Sequence, residues 1–271
     1  MKLLKKATLL ITLLIAPLLA IENNQFINDN NCNQILDRTY FQVCYDYNYK
    51  ATKAVSYTLY GDLVNETNIK KRPTFKVDKE IDRDKRASSS DYTKSGYDRG
   101  HMANDAAFDW SQDSLNETYK LSNIVPQVRK VNRYTWIKAE RYARFIAVKL
   151  GEVNIINVVK YPSNPQRIGK HQIAIPQGFY KILYNQDQNY SRCLYYENDN
   201  NINTKEDRLK QHDVACNTII PTLNSSNQSQ TRQTCSSFAT HQEAQTYYDN
   251  REYGWERLDR DKDGNACESL K

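Results

Sequence analysis

Several common functional motifs are missing from this 271-residue chain. None of the eight glycines forms a Gly-x-Gly pair, which excludes a dinucleotide-binding turn, and no Gly-Lys-Ser or Gly-Lys-Thr is present to form a P-loop. The chain has no His-Glu-x-x-His and no Cys-x-x-Cys, so the common zinc patterns are excluded. Hydrophobic residues still make up 39% of the sequence, which suffices for a folded core.

Only the N-terminus carries a long apolar run. Residues 7–21 follow three lysines, and the run is shorter than the roughly 20 residues that a membrane-spanning helix needs. A basic start, a short apolar stretch and the small Ala20 predict a signal peptide over residues 1–20. We therefore expect a secreted or periplasmic protein with no membrane span after signal removal. An uncleaved membrane anchor is the alternative.

The cysteine content agrees with export. An even number of cysteines behind a signal peptide predicts disulfides rather than metal thiolates, and this chain has six. Six cysteines allow about 15 sets of pairings. Proximity in the sequence favours one set as a hypothesis: Cys32–Cys44, Cys193–Cys216 and Cys235–Cys267.

The apolar patterns predict strands separated by polar segments. Strand composition is found in three places: residues 54–60, 153–161 and 172–184. Residues 22–50 have few apolar periodicities, and we expect them to form an N-terminal arm. The polar residues 65–95 are expected to form loops.

A polar run divides the chain into two parts. Residues 222–234 lack a core-forming pattern and are expected to link a body, residues 21–221, to a tail, residues 235–271. Body and linker together carry 30 basic and 24 acidic side chains, whereas the tail carries five basic and eight acidic ones. A basic body favours a polyanionic partner.

The longest regular pattern predicts a helix over residues 127–150. Pro126 stands just before the pattern and Gly151 follows it, which is typical of helix ends. Apolar residues recur at steps of three to five, namely Val128, Val131, Ile137, Tyr142, Phe145 and Val148. Four other residues are spaced four apart and therefore share one helix face: Asn132, Trp136, Glu140 and Arg144. That face is either solvated or part of a functional site.

Two segments resemble the DNA/RNA non-specific endonuclease family, which has the ββα-metal fold. They are YDRGHMA (97–103) and LSNIVPQVRKVNRYTWIKAERYAR (121–144), and the later IAIPQGFYKIL (173–183) resembles the strand that follows the family's helix. The resemblance implies an α+β protein in which an antiparallel sheet framework bears the ββα-metal site. Two separate motifs in the right order are far more specific than a single tetrapeptide.

The resemblance also implies a role for each matching residue. His101 would be the general base, and Asn132 would ligate a single Mg²⁺, with Asn123 supporting the site. Glu140 would hold metal-bound water, and Arg144 would lie near the scissile phosphate. The remaining residues implied are those that complete the motif, Asp98 and Arg99, and an upstream arginine that contacts phosphate, Arg72.

These residue types suit phosphodiester hydrolysis on chemical grounds. A neutral histidine near its ordinary pKa of about 6.5 can accept a proton from water. Mg²⁺ with few protein ligands keeps several waters and binds phosphate oxygens, and arginine forms paired contacts with phosphate. None of these groups reads base edges, so we expect DNA and RNA to bind through the phosphate backbone with little sequence specificity.

The tail resembles the excalibur domain, an extracellular calcium-binding module with an EF-hand-like loop. The resemblance rests on the sequence LDRDKDGNACE (258–268), which places carboxylates at alternate positions and Gly264 at the sharp turn. It implies a small module, held by a disulfide, that binds Ca²⁺ through Asp259, Asp261, Asp263, Asn265 and Glu268.

The sequence therefore predicts an exported, Mg²⁺-dependent endonuclease with a separate calcium-binding tail. Two alternatives belong to other functional classes: a catalytically weak surface receptor for nucleic acid, and a calcium-dependent adhesion protein. The intact set of His, Asn, Glu and Arg residues favours the enzyme. The sequence does not determine the oligomeric state.

Overall fold

The computed structural model describes residues 21–66, 68–219, 234–249, 255–260 and 262–270. The expected signal peptide, the last two residues of the expected body (220–221), residues 222–233 of the expected linker, and Asp261 lie outside the described residues. The strands are β1 (Gln34–Arg38), β2 (Phe41–Asp46), β3 (Ala51–Tyr60), β4 (Tyr97–His101), β5 (Ile124–Val128), β6 (Glu152–Lys160), β7 (Arg167–Ile168), β8 (Ile173–Ala174), β9 (Gly178–Asn185), β10 (Tyr190–Glu197) and β11 (Asp213–Val214). The α-helices are α1 (Leu63–Glu66), α2 (Gln112–Thr118), α3 (Ile137–Leu150) and α4 (His241–Asp249).

A seven-stranded antiparallel sheet forms the framework of the body. Its strand order is β1-β2-β3-β6-β9-β10-β11. The central strands alternate between two apolar clusters, so that Ile155 of β6 lies in the larger cluster beneath α3 whereas Ile156 lies in the smaller one on the opposite face. Because successive side chains of a strand point to opposite faces of the sheet, both faces are covered by apolar residues.

The expected α+β fold and its ββα unit are confirmed. β4 and β5 form a separate antiparallel pair, and the chain then turns directly into the helical segment that ends with α3. Helix α3 packs on β3 and β6 and ends at Gly151, whose φ of +86° lies in the left-handed region that glycine adopts readily. The ββα unit therefore lies on one face of the large sheet.

The expected start of the long helix was wrong. Gln127 and Val128 belong to β5, and Pro126 lies in the middle of that strand, opposite Arg99. A two-stranded ladder tolerates proline because one side of each strand has no ladder partner. The helical segment begins with a π-helical turn, Val131–Trp136, before α3.

The apolar residues of the helical pattern are not all buried. Phe145 is 59% exposed and Val148 is 47% exposed. Three alanines of α3 are buried against the sheet: Ala139, Ala143 and Ala147. Small side chains allow α3 to approach the sheet closely. The pattern of larger apolar residues that predicted the helix does not include these alanines.

Residues 22–50 are not an arm, since they contain β1 and β2 of the main sheet. The three strands expected from composition are present as β3, β6 and the β8–β9 segment.

The expected disulfides Cys32–Cys44, Cys193–Cys216 and Cys235–Cys267 are all formed. No helix among the described residues is long and apolar enough to cross a membrane.

The tail contacts the body at one end of the sheet. Arg257 lies 2.5 Å from a carboxylate oxygen of Glu152 at the start of β6 and 2.9 Å from one of Asp187. Arg260 pairs with Asp62 and lies over the ring of Tyr60, at the end of β3. These contacts lie beside the C-terminal end of α3, whereas Asn132 lies before its N-terminal end.

Candidate active site

The ββα unit brings the two expected motifs together. His101 is the last residue of β4 and pairs with Ile124 of β5, while Asn132 lies in the π turn that follows β5. Gly100 is required at its position because a Cβ there would come within 2.3 Å of Oε1 of Gln127. The glycine of the DRGH motif thus permits the close packing of β4 against β5.

The imidazole of His101 is buried, and one of its ring nitrogens has no partner among the described residues. Its Nε2 is buried and has no hydrogen-bond partner among the described residues, and its ring packs against Phe75 and Tyr119 at 5.3 and 4.9 Å between centroids. Burial lowers the pKa of His101 to about 4, with Asp105 opposing that change and Arg72 adding to it. The imidazole is therefore neutral at pH 7, with a pKa well below the ordinary value that the sequence suggested.

Asn123 fixes the loop that follows His101. Its side chain is wholly buried, and its Oδ1 accepts a hydrogen bond of 2.7 Å from the backbone N–H of Ala103. Its Nδ2 donates to the carbonyl oxygens of Ala103 and Thr118, both at 2.9 Å. Asn123 therefore holds the backbone of the loop that follows His101.

Asp98 orients the expected metal ligand. The Nδ2 of Asn132 donates to Asp98 at 3.1 Å, and Arg133 donates two hydrogen bonds to the same carboxylate, at 2.7 and 3.0 Å. Burial raises the pKa of Asp98, but its bonds to Arg133 and Asn132 dominate and keep it below its usual value. Because the amide nitrogen is engaged by Asp98, the amide oxygen Oδ1 of Asn132 is the atom left to bind a metal.

Glu140 and Arg144 lie on the same face of α3 as expected, but they do not form an ion pair with each other in the described structure. Nη1 of Arg144 is buried and has no hydrogen-bond partner among the described residues, so it can receive a phosphate oxygen. Burial raises the pKa of the Glu140 carboxyl to about 7, although Lys181 and Arg144 oppose this change. The expectation of a functional face is therefore favoured over a solvated Glu–Arg pair.

Arg72 lies on the His101 side of the site but is already engaged. Its Nη2 donates to Asp109 at 2.9 Å, and its Nε lies 3.3 Å from Asp105. Asp105 also accepts a hydrogen bond from the Tyr119 hydroxyl at 2.8 Å. Phosphate contact by Arg72 would therefore compete with two carboxylates.

Arg99 occupies a different position from the other motif residues. Its guanidinium lies 5.4 Å from the ring centroids of both Phe75 and Tyr92 and donates to the carbonyl oxygen of Ser89. Because Phe75 also contacts His101, Arg99 and His101 share an aromatic wall. The structure thus places the guanidinium of Arg99 beside the site, over the rings of Phe75 and Tyr92.

Sequence reasoning missed four polar residues that surround the site: Asp105, Gln127, Asn157 and Lys181. Asp105 follows the DRGH motif by only four residues, and Gln127 lies within a quoted motif, so both carried a local signal. Asn157 and Lys181 stand inside strands of otherwise apolar composition. A polar residue at an inward strand position is the signal that could have revealed them.

The candidate site suits a hard metal ion held by few protein groups. The described residues contain no group of three or more His, Cys, Asp or Glu side chains arranged to hold a metal. The donor offered at this site is instead the amide oxygen of Asn132, whose amide nitrogen is bound to Asp98. Mg²⁺, which binds hard oxygen donors and retains several waters, is chemically compatible with that arrangement.

The calcium loop of the tail is organised around Asp259. This carboxylate is wholly buried and accepts hydrogen bonds from the backbone N–H groups of Lys262, Asp263 and Gly264 and from the Tyr248 hydroxyl. Gly264 has the positive φ of +96° that the sharp turn requires. The other described ligands expected here are exposed: Asp263, Asn265 and Glu268. Oxygen donors on a tight loop fit Ca²⁺.

Comparison with known proteins agrees with both parts of this description. The sequence model of the DNA/RNA non-specific endonuclease family matches residues 20–237, and that of the Excalibur calcium-binding domain matches residues 232–268. Mitochondrial endonuclease G of Homo sapiens is 30% identical over 164 residues, which cover 55% of this chain and 54% of that protein. The mitochondrial nuclease of Saccharomyces cerevisiae is 34% identical over 127 residues, covering 42% and 39% of the two chains.

The chain thus spans about half the length of the human relative. Among solved structures, the EndoG/EndoGI complex matches with a TM-score of 0.63 at 24% identity, covering 68% of this chain and 81% of that one. At that identity the likeness shows the fold. The sequence match over most of the chain, together with the ββα geometry, establishes that this protein belongs to the DNA/RNA non-specific endonuclease family.

Proposed function

We propose that the protein is an exported, Mg²⁺-dependent endonuclease that hydrolyses phosphodiester bonds of DNA and RNA with little sequence preference. The observation that carries the proposal is His101: its Nε2 is buried without a hydrogen-bond partner in the described part of the chain, and its lowered pKa keeps it neutral at pH 7. A general base needs a free, unprotonated nitrogen within reach of the nucleophile. The relatives named as nucleases support the same assignment.

In this mechanism His101 Nε2 accepts a proton from the attacking water. Asp98 keeps the Asn132 side chain in one orientation, in which its Oδ1 would hold the metal. Arg144 binds a phosphate oxygen through Nη1. When bound, Mg²⁺ neutralises charge on the phosphate and on the leaving oxygen. Glu140, partly buried one helical turn before Arg144, supplies the carboxylate that orients water.

The substrate is recognised through its phosphates. The residues assigned to substrate contact are arginines, which bind phosphate without reading base edges. The basic charge of the body attracts a polyanion of either sugar type. We propose nucleic acid in general as the substrate class.

Export is supported by the cysteines. All six are paired in disulfides, and disulfides persist in oxidising compartments such as the bacterial periplasm or the extracellular space. The basic and apolar N-terminal segment agrees with that location. The tail, as an Excalibur module, would bind Ca²⁺ through the loop around Asp259.

The test is cleavage of plasmid DNA and of RNA by the purified protein, with Mg²⁺ or with EDTA. His101→Ala should reduce the rate by about 10²–10⁴-fold, the typical contribution of a general base. Asn132→Ala should lose activity that excess Mg²⁺ partly restores. His241→Ala, in α4 of the tail, is the matched control and should cleave like wild type.

Three results would refute the proposal: no cleavage by the wild type under any metal condition, cleavage that persists in EDTA, or a fully active His101→Ala variant. Binding of nucleic acid without cleavage would favour the receptor alternative. Binding of neither substrate would favour the adhesion alternative.

A further inference from the structure

An exposed pair of arginines flanks the expected metal ligand, Asn132. Between Glu117 and Glu140 the chain carries five basic residues and no acidic one: Lys120, Arg129, Lys130, Arg133 and Lys138. Arg129 and Arg133 stand on either side of Asn132 in this segment, and their side chains are 65% and 53% exposed. The mechanism proposed above gives neither of them a role in substrate binding.

Both arginines lie around one carboxylate, that of Asp98. Arg133 donates to both of its oxygens, from Nε at 2.7 Å and from Nη2 at 3.0 Å, and Nε of Arg129 lies 3.7 Å from Oδ1. The Nδ2 of Asn132 donates to the same carboxylate at 3.1 Å. The two guanidinium groups are therefore placed beside the side chain whose Oδ1 is available to a metal.

The charges of this cluster do not cancel. Two guanidinium groups and one carboxylate leave one positive charge, and side chains that are more than half exposed present it to the solvent. The neighbouring Lys130 donates from Nζ to the backbone carbonyl oxygen of Asn200, which is a neutral group. An exposed positive charge of this kind attracts a polyanion.

Orientation of Asn132 does not require Arg129. Arg133 and Asn132 already donate three hydrogen bonds to the two oxygens of Asp98. The side chain of Arg129 makes no hydrogen bond to the described residues, and an exposed ion pair at 3.7 Å contributes little to stability. The five N–H donors of its guanidinium are therefore available to a ligand.

We infer that Arg129 and Arg133 form a second phosphate-binding site, which takes the phosphate next to the scissile one on the same strand. The inference rests on the proposed nuclease function, in which Asn132 would hold the metal at the scissile phosphate. Phosphates follow one another at short intervals along a strand, so cations beside Asn132 meet the neighbouring phosphate. Arginine suits this role because its planar group matches two phosphate oxygens at once.

Binding without cleavage tests this site directly. The affinity of the full chain for a fluorescent single-stranded oligonucleotide is measured by anisotropy in EDTA, over a range of salt concentrations. Arg129→Ala should weaken binding by about 5-fold at about 0.1 M salt and should reduce the slope of log affinity against log salt by about 0.7, because one fewer counterion is released.

Arg192→Ala is the matched control for the loss of one positive charge. Arg192 pairs with Asp213 as Arg133 pairs with Asp98, through Nε at 2.7 Å and Nη2 at 3.1 Å. It lies in β10, which pairs with β11 at the edge of the main sheet, and the mechanism assigns it no role. Its replacement should leave the salt slope unchanged.

Short substrates place the site relative to the cleaved bond. One thymidine dinucleotide carries only the scissile phosphate, and two others carry an additional phosphate at one end or the other. The wild type should cleave one of the phosphorylated dinucleotides with a higher kcat/KM than the plain one, because the added phosphate reaches the two arginines. Arg129→Ala should lose most of this gain and cleave the plain dinucleotide like wild type. A wild type that gains nothing from the added phosphate would overturn the inference.

The Mg²⁺ dependence separates a phosphate contact from a positioning role. Arg129→Ala should reach half-maximal cleavage at the wild-type Mg²⁺ concentration, whereas Arg133→Ala should need more Mg²⁺, since Asp98 then loses two hydrogen bonds. A raised Mg²⁺ requirement of Arg129→Ala with a wild-type salt slope would overturn the inference, because Arg129 would then act through Asp98.

A reduction of the salt slope in Arg129→Ala no larger than that in Arg192→Ala would also overturn the inference. Failure of the wild type to cleave nucleic acid under any metal condition would instead refute the proposed function. The salt slopes in EDTA would still test the phosphate site in that case, because they do not depend on cleavage.

Discussion

Replacement of Asn123 by alanine should destabilise the protein and slow catalysis together. The side chain makes three buried hydrogen bonds, two of them to the peptide groups of Ala103 and one to Thr118. Removal leaves a buried N–H and two buried carbonyl groups unpaired, and an unsatisfied buried donor alone costs about 1–3 kcal/mol. We therefore expect the free energy of unfolding to fall by about 3 kcal/mol in total.

That loss corresponds to a fall in Tm of about 6–12 °C, at about 2–4 °C per kcal/mol for a protein of this size. Asn28→Ala is the matched control, because Asn28 also makes three hydrogen bonds but near the surface, where water replaces them. Its effect should stay within about 0.5 kcal/mol. Thermal unfolding followed by circular dichroism measures both variants, and kcat is measured on the folded fraction. Equal Tm values for Asn123→Ala and Asn28→Ala would refute this reasoning.

Three further predictions follow from charge and from the tail. The folded-state pKa of His101 lies below its unfolded value, so the unfolded chain binds the proton more readily, and the free energy of unfolding should fall as pH drops from about 6.5 to about 4. Urea unfolding should show that His101→Gln has a smaller fall over this range, and an identical fall would contradict the assignment. Affinity for nucleic acid should decrease with rising salt and differ little among sequences; a footprint confined to one short sequence would contradict this. A chain that ends at residue 221 should keep Mg²⁺-dependent cleavage, lose Ca²⁺ binding by calorimetry, and melt below the full chain because the contacts of Arg257 with Glu152 and Asp187 are gone. Loss of cleavage in a truncated chain that remains folded would show that the tail takes part in catalysis or substrate binding.

The residues of the candidate site differ in how clearly the sequence pointed to them. His101 and Asn132 were found because short, unusual motifs contain them, and the structure places them at the end of β4 and in the turn after β5. The role of Asp98 could not be foreseen, because its bond to Asn132 joins residues 34 positions apart. The same holds for Arg72, whose two carboxylate partners follow it by more than 30 residues.

The helix shows where a periodic pattern fails. The spacing of apolar residues correctly predicted one long helix that ends at Gly151, because the i, i+3 and i, i+4 pattern depends only on local geometry. The apolar pattern placed the start of the helix too early. Both β5 and the helix are apolar, so the boundary between them is fixed only by the pairing of β5 with β4. The pattern also includes Phe145, which is 59% exposed, and does not include the alanines that pack on the sheet.

By itself the sequence determined the family and the disulfide hypothesis, and it predicted the residue types of the site and a division into body and tail, because each depends on residue identity and spacing along the chain. Only the tertiary structure decided the surroundings of each residue of the candidate site. The lowered pKa of His101, the orientation of Asn132 by Asp98 and the hydrogen bond of the buried Lys181 to Asn157 arise from contacts between distant segments. Desolvation and hydrogen bonding act over a few ångströms in space, and the distance between two residues in space cannot be read from their separation in sequence.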